Sequence, residues 1–196
     1  MHSRLHHRIV PFLLVMSLTM LTNSFPGAAR ADEESRTPVV GDIAPDFALP
    51  ALSGGTIRLS SLVKKGPVVL LMLRGYPGYQ CPFCTKQVGD FLTRADGFKK
   101  AKAHVVFVYP GPSEGLWDHA KEFVQGRDYP RHFYVLPDPG YTMTDAYHLR
   151  WDAEQETSHP ALFVLDRKGR VTYARISEGH GDRVAAEQAL EVLAKP

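Results

Sequence analysis

An unbroken apolar run from Pro67 to Leu73 dominates the hydropathy pattern. A stretch of that length without polar alternation predicts a strand buried on both faces. His104–Tyr109 reads the same way, and Phe133–Leu136 predicts a shorter third strand. Between these runs the period changes. Cys84, Val88, Phe91, Leu92 and Ala95 fall at i, i+4, i+7, i+8 and i+11, one face of a helix. Leu116, Ala120, Phe123 and Val124 form a second stripe, with Ser113 placed to cap it and Gly126 to stop it. Asp138-Pro139 fits an N-cap followed by proline at the first helical position and predicts a helix through Tyr147. Nearer the N-terminus, Phe47–Leu49 and Thr56–Leu59 predict a strand pair turned at Ser53-Gly54-Gly55. Ala161–Leu165 and Val171–Ile176 predict a hairpin over Asp166–Gly169, and Ala186, Leu190 and Leu193 a terminal helix. The order implies an α/β sandwich, a central mixed sheet flanked by helices.

The first 31 residues break this pattern. Met1–Arg8 carries Arg4, Arg8 and three histidines, Ile9–Leu21 is mostly apolar, and Ala29-Arg30-Ala31 has the small-x-small form of a cleavage site. Residues 1–31 therefore predict a signal peptide cut after Ala31, and a periplasmic or secreted product. The competing reading, a membrane anchor, needs ~20 apolar residues, more than this run provides. Polar residues 32–39 predict a flexible leader and residues 40–196 a single domain. The whole chain holds 23 Lys and Arg against 21 Asp and Glu, and the basic excess lies in the first 31 residues. Such a balance gives no reason to expect nucleic acid as a partner, or a membrane once the signal is removed.

The chain has two cysteines, both in Cys81-Pro82-Phe83-Cys84, between the first buried run and the first helix. Backbone amides and the dipole at a helix start favour a thiolate, the reactive form of cysteine. An exported compartment lets a Cys81–Cys84 disulfide persist. As a purely structural staple, though, so small a ring removes little unfolded-chain entropy. The pair reads as a redox dithiol.

This order of elements, with Cys-x-x-Cys after the first buried strand, resembles the thioredoxin fold. It is most similar to the peroxiredoxin-like AhpC/TSA, or redoxin, family, over roughly Val40 to the C-terminus. Val40–Pro50 and Ala161–Arg170 look like that family's first segment and one of its last strands. Peroxiredoxins carry a proline, a Thr or Ser four residues on, and the peroxidatic cysteine three further. The match puts the proline at Pro77, the peroxidatic position at Cys84, and Cys81 where the hydroxyl residue belongs. Where the family's distal arginine would fall the chain has His159-Pro160 instead, and Pro160 sits where thioredoxins place a cis-proline facing the dithiol. The resemblance implies a peroxide substrate, an external thiol or thioredoxin-like reductant, and no bound cofactor or metal.

Two chemistries follow. As a peroxidase, Cys84 attacks peroxide and Cys81 resolves the sulfenic acid as a disulfide. As a disulfide oxidoreductase, Cys81 attacks and Cys84 resolves, with the Pro160 backbone presented to an extended substrate. Arg74 and Arg150 are candidate cations and Tyr76 a candidate pocket residue. Glu154 and Glu156 are candidate proton acceptors. Copper binding through the two cysteines with His159 or His180 is a further alternative, although the copper-binding relatives of this fold space their cysteines one residue wider. Ser177–Asp182 reads as a polar loop leading into the last helix.

Overall fold

The computed structural model describes His2 and residues 36–195. Apart from His2, the expected signal peptide lies outside the described residues, as do residues 32–35 of the leader. Of the leader, the part from Arg36 onward is tied down: Arg36 pairs with Asp42 at 2.7 Å and Thr37 Oγ1 donates to the His148 carbonyl at 3.1 Å. Among the described residues no helix is long and apolar enough to cross a membrane.

The predicted runs form a five-stranded mixed sheet of order β5-β4-β3-β6-β7. Its strands are β3 (Val68–Met72), β4 (His104–Gly111), β5 (Phe133–Pro139), β6 (Ala161–Leu165) and β7 (Val171–Ile176). The pairs β3–β4 and β4–β5 are parallel; β3–β6 and β6–β7 are antiparallel. Every residue of β3 and β6 is buried, because both faces of the sheet are covered. Val69, Leu71, Val105, Phe107, Leu162 and Val164 point to one face, where Val88 and Phe91 of the first long helix pack. Val68, Leu70, Met72, Val106, Val108 and Phe163 point to the other.

The hairpin of β1 (Ala48–Pro50) and β2 (Thr56–Arg58) covers part of that second face, through Leu49. β2 ends before Leu59, whose run to Leu62 forms a short helix α1 instead of continuing the strand. The remaining helices are α2 (Pro82–Thr93), α3 (Ala95–Lys100), α4 (Leu116–Val124), α5 (Thr142–Ala146) and α6 (Ala186–Ala194). Two caps differ from expectation. Gly115, in the left-handed region at φ 68°, starts α4 in place of Ser113. Asp138-Pro139 ends β5 and does not open a helix, because the β4 partner extends to Gly111 and keeps both residues paired. Asp138 still serves the helix: its fully buried carboxylate accepts from the Met143 and Thr144 amides at 3.0 and 2.9 Å.

The register decides what meets at one end of the sheet. Met72 pairs with Ala161, and Ala161 with Ile176. The segments after β3, before β6 and after β7 therefore start side by side.

Candidate active site

Cys81 and Cys84 sit where the β3 segment turns into α2. Cys81 is the N-cap of α2 and Pro82 follows at the first helical position, where the missing amide costs nothing. The cap is made by sulfur: the Cys84 amide donates to Cys81 Sγ at 3.3 Å. Cys84 faces inward on the helix stripe with Val88 and Phe91, and its Sγ accepts from the Arg74 amide at 3.3 Å. Both cysteines are free thiols, 1% and 0% exposed.

The segment after β7 contributes Arg183, which local sequence gave no reason to select. Its Nη2 lies 3.7 Å from Cys84 Sγ and 3.9 Å from Cys81 Sγ. Arg183 Nε donates to the His180 carbonyl at 2.7 Å, and Nη1 reaches Gln87 Oε1 at 3.4 Å. Gln87 is itself buried and donates to the Val184 carbonyl at 3.1 Å. Two unit charges about 4 Å apart near a protein surface attract by roughly 4 kcal/mol. A helix terminus contributes ~0.3–1 kcal/mol. Arg183 therefore adds to the helix-start amide and the Cys84 thiol in making a thiolate tolerable here.

The segment before β6 supplies a buried ion pair. Arg74 Nε meets Glu156 Oε2 at 2.7 Å, and Arg74 Nη2 donates to the Gln155 carbonyl at 2.6 Å. Glu156 Oε1 lies 3.1 Å from His180 Nε2. Thr157 and Ser158 hydroxyls bond the Arg74 and Leu73 carbonyls, clamping this segment to the end of β3. Arg74 thus reaches the dithiol through its backbone, while its guanidinium is committed to Glu156, Tyr79 and Gln155.

The charge falls unequally on the two sulfurs. The hydrogen bond from the Cys84 thiol, the Cys84 amide, Arg183 and Arg74 together outweigh burial and bring the Cys81 thiol down to about 5. Burial, and the neighbouring Cys81 to which it donates, push Cys84 well above the ordinary thiol range despite Arg183. In the reduced pair the single proton therefore sits on Cys84.

Other expected residues fall into three groups. Tyr76 and Pro77 line a cavity of about 340 Å³ with Glu156, His119 and Tyr141, and the Tyr76 ring stacks on His119. Arg150 donates to the Thr157 carbonyl at 2.9 Å and lies over the Tyr141 ring; no contact brings it to either sulfur among the described residues. Glu154 is exposed. The expected cis bond at Pro160 is corrected: no peptide bond among the described residues is cis. The Pro160 carbonyl is also already taken, accepting from the Ser177 amide at 2.8 Å, because residue 177 continues the β6–β7 pairing. His159 stacks on Trp151. Among the described residues no cluster of three His, Cys, Asp or Glu stands close enough to hold a metal ion.

Comparison with known proteins supplies the family. The AhpC/TSA family profile matches residues 40–174, so the chain belongs to the AhpC/TSA family. It is 31% identical to chloroplastic peroxiredoxin Q of Triticum aestivum over 133 residues, 68% of this chain and 57% of that one. The chain thus spans less than two thirds of the length of that relative. Two crystal structures are similar in fold. Peroxidoxin BcpB from Mycobacterium tuberculosis has a TM-score of 0.61 at 27% identity, covering 79% of this chain and 95% of its own. A protein from Chlorobium tepidum described as a thiol:disulfide interchange protein DsbE has a TM-score of 0.59 at 26% identity, covering 80% and 99%.

Proposed function

We propose that this chain is a thiol-dependent peroxidase that reduces hydrogen peroxide or organic hydroperoxides at the Cys81/Cys84 pair. The observation that carries the reading is the Arg183 guanidinium facing both sulfurs, at the cysteine whose spacing from Pro77 matches the family's peroxidatic position. Cys84 is the attacking sulfur, and Cys81, in the place of the usual hydroxyl, is its proton acceptor. As Cys84 Sγ attacks one peroxide oxygen, its proton passes along the hydrogen bond to the Cys81 thiolate. The O–O bond breaks, the departing alkoxide or hydroxide takes that proton, and Cys84 becomes a sulfenic acid. Arg183 and the Arg74 amide stabilise the negative charge during transfer. The restored Cys81 thiolate then attacks the sulfenic sulfur and displaces hydroxide, which leaves as water after protonation by solvent. Two electrons from the thiols have reduced the peroxide. An external thiol or thioredoxin-like reductant reopens the Cys81–Cys84 disulfide. We place the reaction in the periplasm or outside the cell.

Disulfide exchange through Cys81 is the second reading, favoured by its lowered thiol and by likeness to the DsbE-named structure. One experiment separates the two. Reduced wild type, Cys81→Ser and Cys84→Ser each meet one equivalent of hydrogen peroxide. The peroxidase reading expects wild type and Cys81→Ser to react far faster than free cysteine, because in the variant Cys84 is freed of the neighbouring thiol that raises it, keeps Arg183 and needs no proton acceptor once ionised; Cys81→Ser should accumulate a sulfenic acid trapped by dimedone, and Cys84→Ser should be inert. Reaction of all three at the free-thiol rate overturns it. In that case Cys84→Ser, mixed with an oxidised dithiol peptide, should hold a mixed disulfide on Cys81.

A further inference from the structure

Arg183 is held without a carboxylate partner among the described residues; its anchors are the His180 carbonyl and the Gln87 amide. That carbonyl belongs to His180, whose ring is itself held in place. Three contacts fix it. Nε2 faces Glu156 Oε1 at 3.1 Å. The ring stacks on Trp151 at 5.3 Å and 16° on one hand, and on Phe83 of the dithiol motif at 6.4 Å and 19° on the other. The other nitrogen, Nδ1, is buried with no partner, so the ring is oriented by Glu156 alone among polar groups. Glu156 in turn is locked by Arg74.

These contacts close a loop from one sulfur to the other. It runs from Cys84 Sγ to the Arg74 amide, through Arg74 to Glu156 and His180, and back from the His180 carbonyl through Arg183 to both sulfurs. The tight turn that returns it is closed by the Arg183 amide on the Gly181 carbonyl at 3.1 Å.

We propose that His180 is a positioning residue: through the contact of its Nε2 with Glu156, it sets the turn that holds Arg183 over the dithiol. It touches neither sulfur and acts through the guanidinium. The inference rests on the dithiol being the reactive centre.

The test is a titration of thiolate absorbance at 240 nm on the reduced full-length chain, without peroxide. His180→Ala removes both the donor and the stack, and should raise the thiolate midpoint by about one pH unit, about a tenfold loss of thiolate at a fixed pH well below both midpoints. His180→Gln retains an N–H donor for Glu156 and should recover most of that shift. His180→Phe retains the stack without the donor and should behave like His180→Ala. If the alanine variant does not fold, the contrast between Gln and Phe carries the test. In an Arg183→Ala background, His180→Ala should add nothing, since the effect travels through Arg183. A midpoint unmoved by His180→Ala, equal midpoints for Gln and Phe, or the same shift in the Arg183→Ala background would each overturn the proposal. Because no peroxide enters the titration, failure of the peroxidase reading shows up separately, in the oxidation rates of the cysteine variants.

Discussion

Cys81 combines two roles that different residue types usually fill. Helix N-caps are oxygen side chains, which accept from free amides without reacting. Here a sulfur accepts from the Cys84 amide and also holds charge, so the cap and the reactive group are one atom. A consequence can be measured at this scale. Above pH about 5 the reduced pair carries one proton, on Cys84, until the pH reaches the raised range of that thiol. Oxidation to the disulfide then releases one proton per two electrons, and the reduction potential should fall by ~30 mV per pH unit. Below about pH 5 Cys81 is protonated as well, two protons are released, and the slope should steepen to ~60 mV. Equilibration against a dithiol redox buffer from pH 4 to 8 reads both limbs. A slope near 60 mV throughout pH 6–8 would show that both thiols are protonated there. The cysteines and Pro77 were legible because they lie within one loop. Arg183 was not: it meets Cys84 across 99 residues of sequence, and its own neighbours read as a polar lead into a helix.

At the scale of elements, α5 shows how a cap can be supplied from elsewhere. Asp138 looked like a helix start because its residue type and the following proline fit one. Pairing of β5 with the far end of β4 keeps it in the strand, and its carboxylate reaches forward to amides five and six residues on. The motif was right about chemistry and wrong about place, because a parallel pairing partner 28 residues away cannot be read from a local pattern. Asp138→Ala strands two amides and the Thr144 hydroxyl, and should cost about 2–3 kcal/mol in urea unfolding. Asp138→Asn, which keeps one accepting oxygen, should cost less. Gly75, three residues past β3, is a stricter case. It sits at φ 72°, and a Cβ there would lie 1.8 Å from the Pro110 carbonyl oxygen. The β3 run ends where only glycine lets the chain pass β4 and deliver Arg74 to the site.

On the scale of the whole molecule, the mixed sheet is what makes one site from three distant segments. A parallel β3 delivers the dithiol at its C-terminal end. The antiparallel partner β6 begins at that same end, and β7 finishes there. The hydrophobic runs made these strands legible one by one, and the likeness of the two ends of the domain to a known family supplied their arrangement. What no run could reveal was the lateral order that brings the Glu156 and Arg183 segments together, since that follows from pairing register and not from periodicity.

Burial of both sulfurs turns the dithiol into a sieve. A thiolate in the open reacts with any electrophile at a rate set by chemistry, whereas one closed to solvent admits reagents according to their girth. Small alkylthiolating reagents such as methyl methanethiosulfonate should therefore outpace a bulky maleimide on the folded, reduced chain by a ratio more than about tenfold larger than on free cysteine, a steric barrier of ~1.4 kcal/mol or more. Unfolding in urea should erase the difference. A peroxide is among the smallest oxidants such an opening can pass, and a large reductant must wait for the opening to widen.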